Sequence, residues 1–213
     1  MKIGVFDTGY GGEIVAERLK SHLPEHEYIV VNDRANLPYG NLSGNEIRLL
    51  TNHAIYPLLQ NCPIIVVACN TATAHAIEWL RHAYPDTVFV GFEPMIKPAR
   101  KLTVTNHITI CATKATLSSE RYLQLVEQYA TDLKIDTPNT DNWAQMIENH
   151  QTDQIVLSEI DQSIQRGSDV VILACTHYLA LENALRIKWP HISVIEPTKA
   201  VVDRNKQLTA SLL

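Results

Sequence analysis

Short apolar runs rich in β-branched residues alternate along this chain with longer segments in which apolar residues recur every three or four positions. The short runs predict strands and the longer segments predict helices. The predicted strands are Lys2–Phe6, Glu27–Asn32, Ile64–Ala68, Thr87–Gly91, His107–Cys111, Asp169–Leu173 and Ser193–Ile195. The predicted helices are Gly12–His22, Ser43–Gln60, Thr71–Tyr84, Met95–Leu102, Ser118–Glu127, Trp143–Asn149, Asp153–Arg166, Tyr178–Lys188 and Lys199–Leu212.

This alternation is typical of α/β proteins, in which helices cover a mostly parallel sheet. One arrangement occurs twice, because Ala68–Ala72 and Ala174–Tyr178 each place a cysteine after an apolar run and before a helix. We therefore predict two similar lobes, each a mostly parallel sheet flanked by helices, with the active site in the cleft between them. The first lobe is expected to span residues 1–96, completed by 191–213, and the second to span 97–190. Two prolines in Phe92–Pro98 mark the linker.

Composition excludes several classes of protein. The 213 residues carry 18 Lys and Arg against 23 Asp and Glu, for a formal net charge of −5, and the basic residues are scattered. A nucleic-acid partner is not expected, because there is no basic stripe to bind phosphates. No apolar run approaches the roughly 20 residues that cross a bilayer, and no export signal is visible, so we expect no membrane association and a cytoplasmic location. Four cysteines without CxxC spacing fit a reducing compartment.

Cys69 and Cys175 are the strongest candidates for chemistry. A lone cysteine at the end of an apolar strand is most often an inert buried residue. Here Asn70, Thr71 and Thr176 add polar groups at a helix start, where the helix dipole stabilises a thiolate or a bound anion, and His177 lies close enough to affect protonation of Cys175. The two cysteines together suggest a thiol pair acting on one small molecule. Cys62 and Cys111 lack such neighbours and are expected to be structural.

Two loops could serve the same site, Asp7–Gly12 after the first strand and Asn36–Gly40 after the second. Each is also readily explained as an ordinary turn. Exposed backbone N–H groups around Pro38, Tyr39 and Gly40 could hold a carboxylate. A zinc site is not expected, since no CxxC occurs and Pro24 interrupts the His22 and His26 pair. A cysteine–histidine nucleophile would leave Cys69 unexplained.

Taken in order along the chain, these motifs resemble the glutamate racemases of the aspartate/glutamate racemase superfamily. The resemblance covers nearly the whole sequence, and its specificity comes from the order of the motifs and the paired cysteines. The segments that carry it are Gly4–Gly9, Pro38–Gly40, Ala68–Ala72, Gly91–Pro94, Ala112–Thr116 and Cys175–Tyr178.

The resemblance implies inversion at the α-carbon of glutamate by two cysteines, without metal or cofactor. Cys69 would take the proton from the D-enantiomer and Cys175 from the L-enantiomer, with Asp7 assisting the first cysteine and His177 with Glu148 the second. Glu148 rests on the loosest match. The substrate-holding groups implied are Asp7, Thr8, Pro38, Tyr39, Gly40, Asn70, Thr71, Thr113, Thr116, Thr176 and His177.

The resemblance also implies a role in supplying D-glutamate for peptidoglycan, and a homodimer. Two alternatives stay open. The chain could racemise aspartate or another small acidic amino acid, because one methylene changes discrimination only modestly. It could also be a non-catalytic homologue that binds an acidic ligand, although the presence of both cysteines argues against this.

Overall fold

A computed structural model describes Met1–Leu212, and its contacts divide the chain into two compact units. The first unit contains residues 1–93 together with the segment from Pro197 onward, and the second contains Pro94–Glu196. Each unit holds one four-stranded parallel sheet flanked by helices, which confirms the predicted α/β fold.

In the first unit, the strands are β1 (Lys2–Asp7), β2 (Glu27–Asn32), β3 (Ile64–Val67) and β4 (Val88–Gly91). They lie in the order β2-β1-β3-β4, with Phe6 opposite Val67 in the β1–β3 register. The central strands β1 and β3 are buried on both faces, as their continuous apolar runs predict. The helices are α1 (Gly11–His22), α2 (Gly44–Leu59), α3 (Asn70–Ala83) and, later in the chain, α10 (Thr198–Leu212).

In the second unit, the strands are β5 (His107–Ala112), β6 (Lys134–Asp136), β7 (Val170–Ala174) and β8 (Ser193–Ile195), in the order β6-β5-β7-β8. This order repeats that of the first sheet, strand for strand. The helices are α4 (Ile96–Leu102), α5 (Lys114–Leu117), α6 (Glu120–Tyr129), α7 (Trp143–Glu148), α8 (Ser158–Gln165) and α9 (Glu182–Lys188). Over Met1–Leu212 there are also four 3₁₀ segments, Arg34–Asn36, Tyr39–Asn41, Thr152–Gln154 and Thr176–Leu181.

The structure corrects several predicted elements. The helix predicted over Asp153–Arg166 starts only at Ser158, because Ile155 is buried in the second unit's core while its backbone is extended. The helix predicted from Tyr178 opens as a 3₁₀ segment and becomes α-helical at Glu182. The strand β6 was not predicted, since three residues are too few to show alternation.

Two further boundaries differ from the predictions. The helix expected over Ser118–Glu127 is α6, which begins at Glu120 because Ser119 caps it by accepting a hydrogen bond from the Tyr122 N–H, and the short helix α5 before it was not predicted. Residues 191–213 were expected to complete the first lobe, but β8 pairs with β7, so this assignment is wrong for residues 191–196. None of the helices within Met1–Leu212 is both long and apolar enough to cross a membrane.

A polar network holds the β6 edge of the second sheet to its neighbours. Asp136 accepts hydrogen bonds from Ser163 at 2.6 Å and from Arg166 at 2.6 Å, and its Oδ2 lies 2.9 Å from Nε2 of His107. Burial opposes ionisation of Asp136, but these hydrogen bonds outweigh it and lower the pKa of Asp136 to about 2. The Asp136 carboxylate is therefore the shared hydrogen-bond acceptor of Ser163, Arg166 and His107.

We expect Asp136→Asn to lower the free energy of unfolding by about 2 to 3 kcal/mol, since the amide cannot satisfy all three donors. The folded-state pKa lies below the unfolded value of about 4, so the stabilisation is present above pH 4 and is lost as the pH falls towards 2. Thermal unfolding measured between pH 2 and 7 should show that Asp136→Asn loses less stability on acidification than the parent protein does. Asp132→Asn, which removes an exposed ion pair with Arg100, is the control and should cost under about 1 kcal/mol. Equal losses in the two variants would contradict the network.

Candidate active site

In the first unit, Cys69 lies between the end of β3 and the start of α3, where parallel strands present their carboxyl ends. The cysteine is the N-cap of α3, and its Sγ accepts a hydrogen bond from the Ala72 N–H at 3.4 Å. The hydroxyl of Thr8, which follows β1, donates to the same sulfur at 3.7 Å. The adjacent strands β1 and β3 thus bring the predicted residues Thr8 and Cys69 into contact.

The environment of Cys69 favours the neutral thiol. Burial and the nearby carboxylate of Asp7 raise the pKa of Cys69 to about 12, against opposing hydrogen bonds from Ala72, Thr8 and the Thr71 backbone. Asp7 is fully buried at the end of β1, where the Gly9 N–H donates to its Oδ2 at 3.4 Å. Cys69 is therefore suited to holding a proton until another group takes it.

The Pro38–Tyr39–Gly40 segment forms a short 3₁₀ turn after a cis Leu37–Pro38 peptide bond. Tyr39 is buried, and its hydroxyl donates to Oδ2 of Asp33 at 2.7 Å. Burial, with the hydrogen bond to Asp33 and the charges of Asp33 and Cys69, raises the pKa of Tyr39, so the phenol stays protonated. Asp33 was not predicted as a site residue. The sequence feature that could have indicated Asp33 is its position directly after β2. The preceding residue, Asn32, lies opposite Asp7 in the β1–β2 register.

Asn70 follows Cys69 and is almost fully buried. Its Nδ2 donates to the Phe92 carbonyl at 3.0 Å, and a carbonyl can only accept, so this contact fixes which end of the carboxamide is oxygen. The buried Oδ1 has no hydrogen-bond partner among residues 1–212. Asn70 thus keeps a buried acceptor without a partner in the residue that follows Cys69, and the Thr71 backbone N–H donates a hydrogen bond to the Cys69 sulfur.

In the second unit, Cys175 follows β7 directly and is buried. Its Sγ lies 3.7 Å from Nδ1 of His177, and the Nε2 of that histidine lies 2.7 Å from Oε1 of Glu148 at the end of α7. With Glu148 ionised, Nε2 carries the proton and Nδ1 is left as an acceptor facing the thiol. The structure thus joins Cys175, His177 and Glu148 in one hydrogen-bonded line.

The remaining predicted residues of the second unit lie at the ends of β5 and β7. Thr113 caps α5 by accepting from the Thr116 N–H at 3.2 Å, and the two threonine hydroxyls are 3.0 Å apart. Thr176 is buried in the 3₁₀ segment that contains His177. Ala112 and Ala174 are opposite one another in the β5–β7 register, so Thr113 and Cys175 each begin the connection that follows their strand.

All four cysteines are buried and free of disulfides. Burial raises the pKa of Cys111 to about 12, and neither this residue nor Cys62 has an acid–base partner like His177. Within the part of the chain that the structure describes, no group of three or more histidine, cysteine or acidic residues is arranged to hold a metal.

Comparison with known families matches residues 13–204 to the model for Asp/Glu/hydantoin racemases. The chain belongs to the Asp/Glu/hydantoin racemase family. Within this family it is 34% identical to the glutamate racemase of Herpetosiphon aurantiacus, over 98% of this chain and 85% of that protein. It is 33% identical to the glutamate racemase of Pseudomonas aeruginosa, over 98% of this chain and 81% of that protein.

Racemase structures agree with these sequence matches. The Escherichia coli glutamate racemase in complex with L-glutamate and the activator UDP-MurNAc-Ala superposes with a TM-score of 0.85 at 26% identity. The match covers 97% of this chain and 81% of that one. This racemase chain therefore shares both sequence and two-unit α/β architecture with glutamate racemases.

Proposed function

We propose that this protein interconverts L- and D-glutamate without a cofactor, with Cys69 and Cys175 as the two acid–base groups. The observation that carries the proposal is the equivalence of the two thiols. Each follows the third strand, in chain order, of a sheet with the same strand order, and each has its own polar partners. The curated relatives named above are glutamate racemases, which favours glutamate as the substrate.

In the proposed reaction, the thiolate of one cysteine removes the α-proton of glutamate and becomes a thiol. The carbanion-like intermediate then takes a proton on its opposite face from the other cysteine, which becomes a thiolate. Atoms and charge balance, since one proton is taken and one is given. An α-proton is very weakly acidic, so the site must also stabilise the developing negative charge.

The partners of each cysteine favour a direction for the first turnover. His177 offers Nδ1 as an acceptor for the Cys175 proton, and the Glu148 carboxylate stabilises the resulting imidazolium. Cys69, whose pKa is raised to about 12, holds its proton in the free protein. We infer that the protein with Cys175 ionised and Cys69 protonated accepts L-glutamate, and that the opposite state accepts D-glutamate.

The substrate's charges would be held by hydrogen bonds. The free Oδ1 of Asn70 and the carboxylate of Asp7 are acceptors suited to an ammonium group. Backbone N–H groups of the Pro38–Tyr39–Gly40 turn, and the hydroxyls or N–H groups of the threonines, are donors suited to carboxylates. The threonines assigned to this role are Thr8, Thr71, Thr113, Thr116 and Thr176.

By resemblance to its family, the protein is proposed to supply D-glutamate for peptidoglycan. A cytoplasmic location belongs to the same proposal, because the mechanism requires both thiols to stay reduced. The proposal also includes a homodimer, which light scattering coupled to size-exclusion chromatography tests directly.

The decisive experiment incubates the purified protein with L-glutamate in deuterium oxide and follows optical rotation and α-proton loss. Inversion accompanied by deuterium at the α-position is expected from either enantiomer. L-aspartate is the matched substrate control, shorter by one methylene, and should react more slowly. Faster reaction with aspartate would reassign the substrate, and no exchange with any acidic amino acid would exclude the racemase.

A further inference from the structure

A buried threonine that the proposed reaction does not use, Thr73, lies one turn of α3 beyond Cys69. Its backbone N–H donates to the Cys69 carbonyl at 2.9 Å, which is the helix bond that starts α3. Its hydroxyl does not remain within the helix. It donates to the Val67 carbonyl at the end of β3 at 2.9 Å and accepts from the Phe92 N–H at 3.1 Å.

These contacts connect Thr73 to the carboxamide of Asn70. The Phe92 N–H donates to the Thr73 hydroxyl oxygen, and the Phe92 carbonyl accepts a hydrogen bond from Nδ2 of Asn70 at 3.0 Å. The position of Phe92 therefore determines where the Asn70 amide is held. Phe92 is fully buried, as are Thr73 and Asn70 to within 2% of their surface, so water does not compete for these bonds.

Gly91 permits this arrangement. A Cβ at position 91 would lie 2.5 Å from Cγ2 of Thr73, closer than non-bonded carbons approach. The absence of a side chain lets Thr73 pack against the end of β4 and reach the backbone of Phe92. Because Thr73 packs this closely against Gly91, its side chain has little room to move.

We propose that Thr73 is a positioning residue, which fixes Phe92 so that Asn70 presents its unpartnered Oδ1 to the substrate. The hydroxyl is not needed to satisfy the backbone, because the Phe92 N–H also donates to the Val67 carbonyl at 3.0 Å. Its specific effect is to set the geometry of the Asn70 amide. This inference rests on the proposed function, in which Asn70 contacts the substrate.

The test compares Thr73→Val, which removes the hydroxyl at nearly constant shape, with Thr73→Ser, which retains it. Thr73→Val is expected to raise the KM for both glutamate enantiomers by about 5- to 20-fold with kcat within about threefold, because a binding contact is weakened in the ground state and the transition state alike. Thr73→Ser should keep the parental KM within about twofold. Thr109→Val is the matched control, since Thr109 is also fully buried and bonded to Ser163 and Ser168.

A second readout does not depend on turnover. The side-chain NH₂ of Asn70 should exchange its hydrogens faster in Thr73→Val than in the parent, as followed by NMR on nitrogen-15-labelled protein. Thr73→Ala serves if the valine variant does not fold. If the parent fails to racemise glutamate, the proposed function fails, and the NMR result still decides the role of Thr73. Parental KM and parental amide exchange in folded Thr73→Val, or an equal rise in KM for Thr109→Val, would overturn the proposal.

Discussion

Replacing either Cys69 or Cys175 with alanine is expected to lower the rate of glutamate racemisation by at least about 1,000-fold. Each thiol is the only acid–base group assigned to one face of the α-carbon, and a positioned acid or base contributes about 10² to 10⁴ in rate. The equilibrium constant between enantiomers is one, so kcat/KM must fall equally in the two directions. Polarimetry with each enantiomer measures this loss.

The racemisation rate cannot show which cysteine acts as the base for which enantiomer, but exchange of the α-proton with solvent can. With Cys69 as the base for D-glutamate, Cys175→Ala should still exchange the α-proton of D-glutamate with deuterium oxide, but without inversion. Cys69→Ala should exchange only L-glutamate. Proton NMR of each recovered amino acid reports these outcomes. The reverse pattern would exchange the roles of the two thiols, and near-parental racemisation by either variant would exclude the two-thiol mechanism.

The control variants are Cys62→Ala and Cys111→Ala. Both residues are buried, and among residues 1–212 neither has an acid–base partner like that of Cys175. Their substitution should change thermal stability while leaving the glutamate kinetics near the parental values. A loss of racemisation in either variant, without loss of folding, would mean that the site includes a third thiol.

The second large effect is expected at His177. His177→Ala should lower kcat/KM about 100-fold, because the Cys175 proton loses its acceptor. Glu148→Gln should lower it about tenfold, since the neutral amide stabilises an imidazolium less well than the carboxylate does. If Glu148 acts through His177, the double variant should be no slower than His177→Ala alone.

Racemisation rates for the four proteins of this cycle, taken between pH 6 and 9, provide the measurement. Additive losses in the double variant would show that Glu148 acts on the substrate independently of His177.

The sequence predicted the fold well wherever a segment was long and its pattern strong. β1 and β3 are buried on both faces, as short continuous apolar runs rich in β-branched residues predict. The failures fall on short or mixed segments, such as β6 with three residues and the region before α8. In these places tertiary packing decides the backbone, and local periodicity does not contain that information.

The site, too, contains some residues that the sequence predicted and others that it did not. Cys69 and Cys175 were found from sequence because each combines a strand end with polar neighbours. The partnership of His177 with Glu148 came only through family resemblance, since 28 residues separate them and no spacing rule joins a helix end to a distant loop. Asp33 and Thr73 were missed because their importance lies in hydrogen bonds to Tyr39 and Phe92, which only the folded chain defines.

The discontinuous first unit has a consequence for synthesis on the ribosome. Its sheet emerges first, but α10, which packs against α1 and β4, is translated only after the whole of Pro94–Glu196. The second unit is continuous and is available to fold while α10 is still being made. During that interval the surfaces of α1 and β4 that α10 covers are exposed, so the first unit is completed only after the second has been translated.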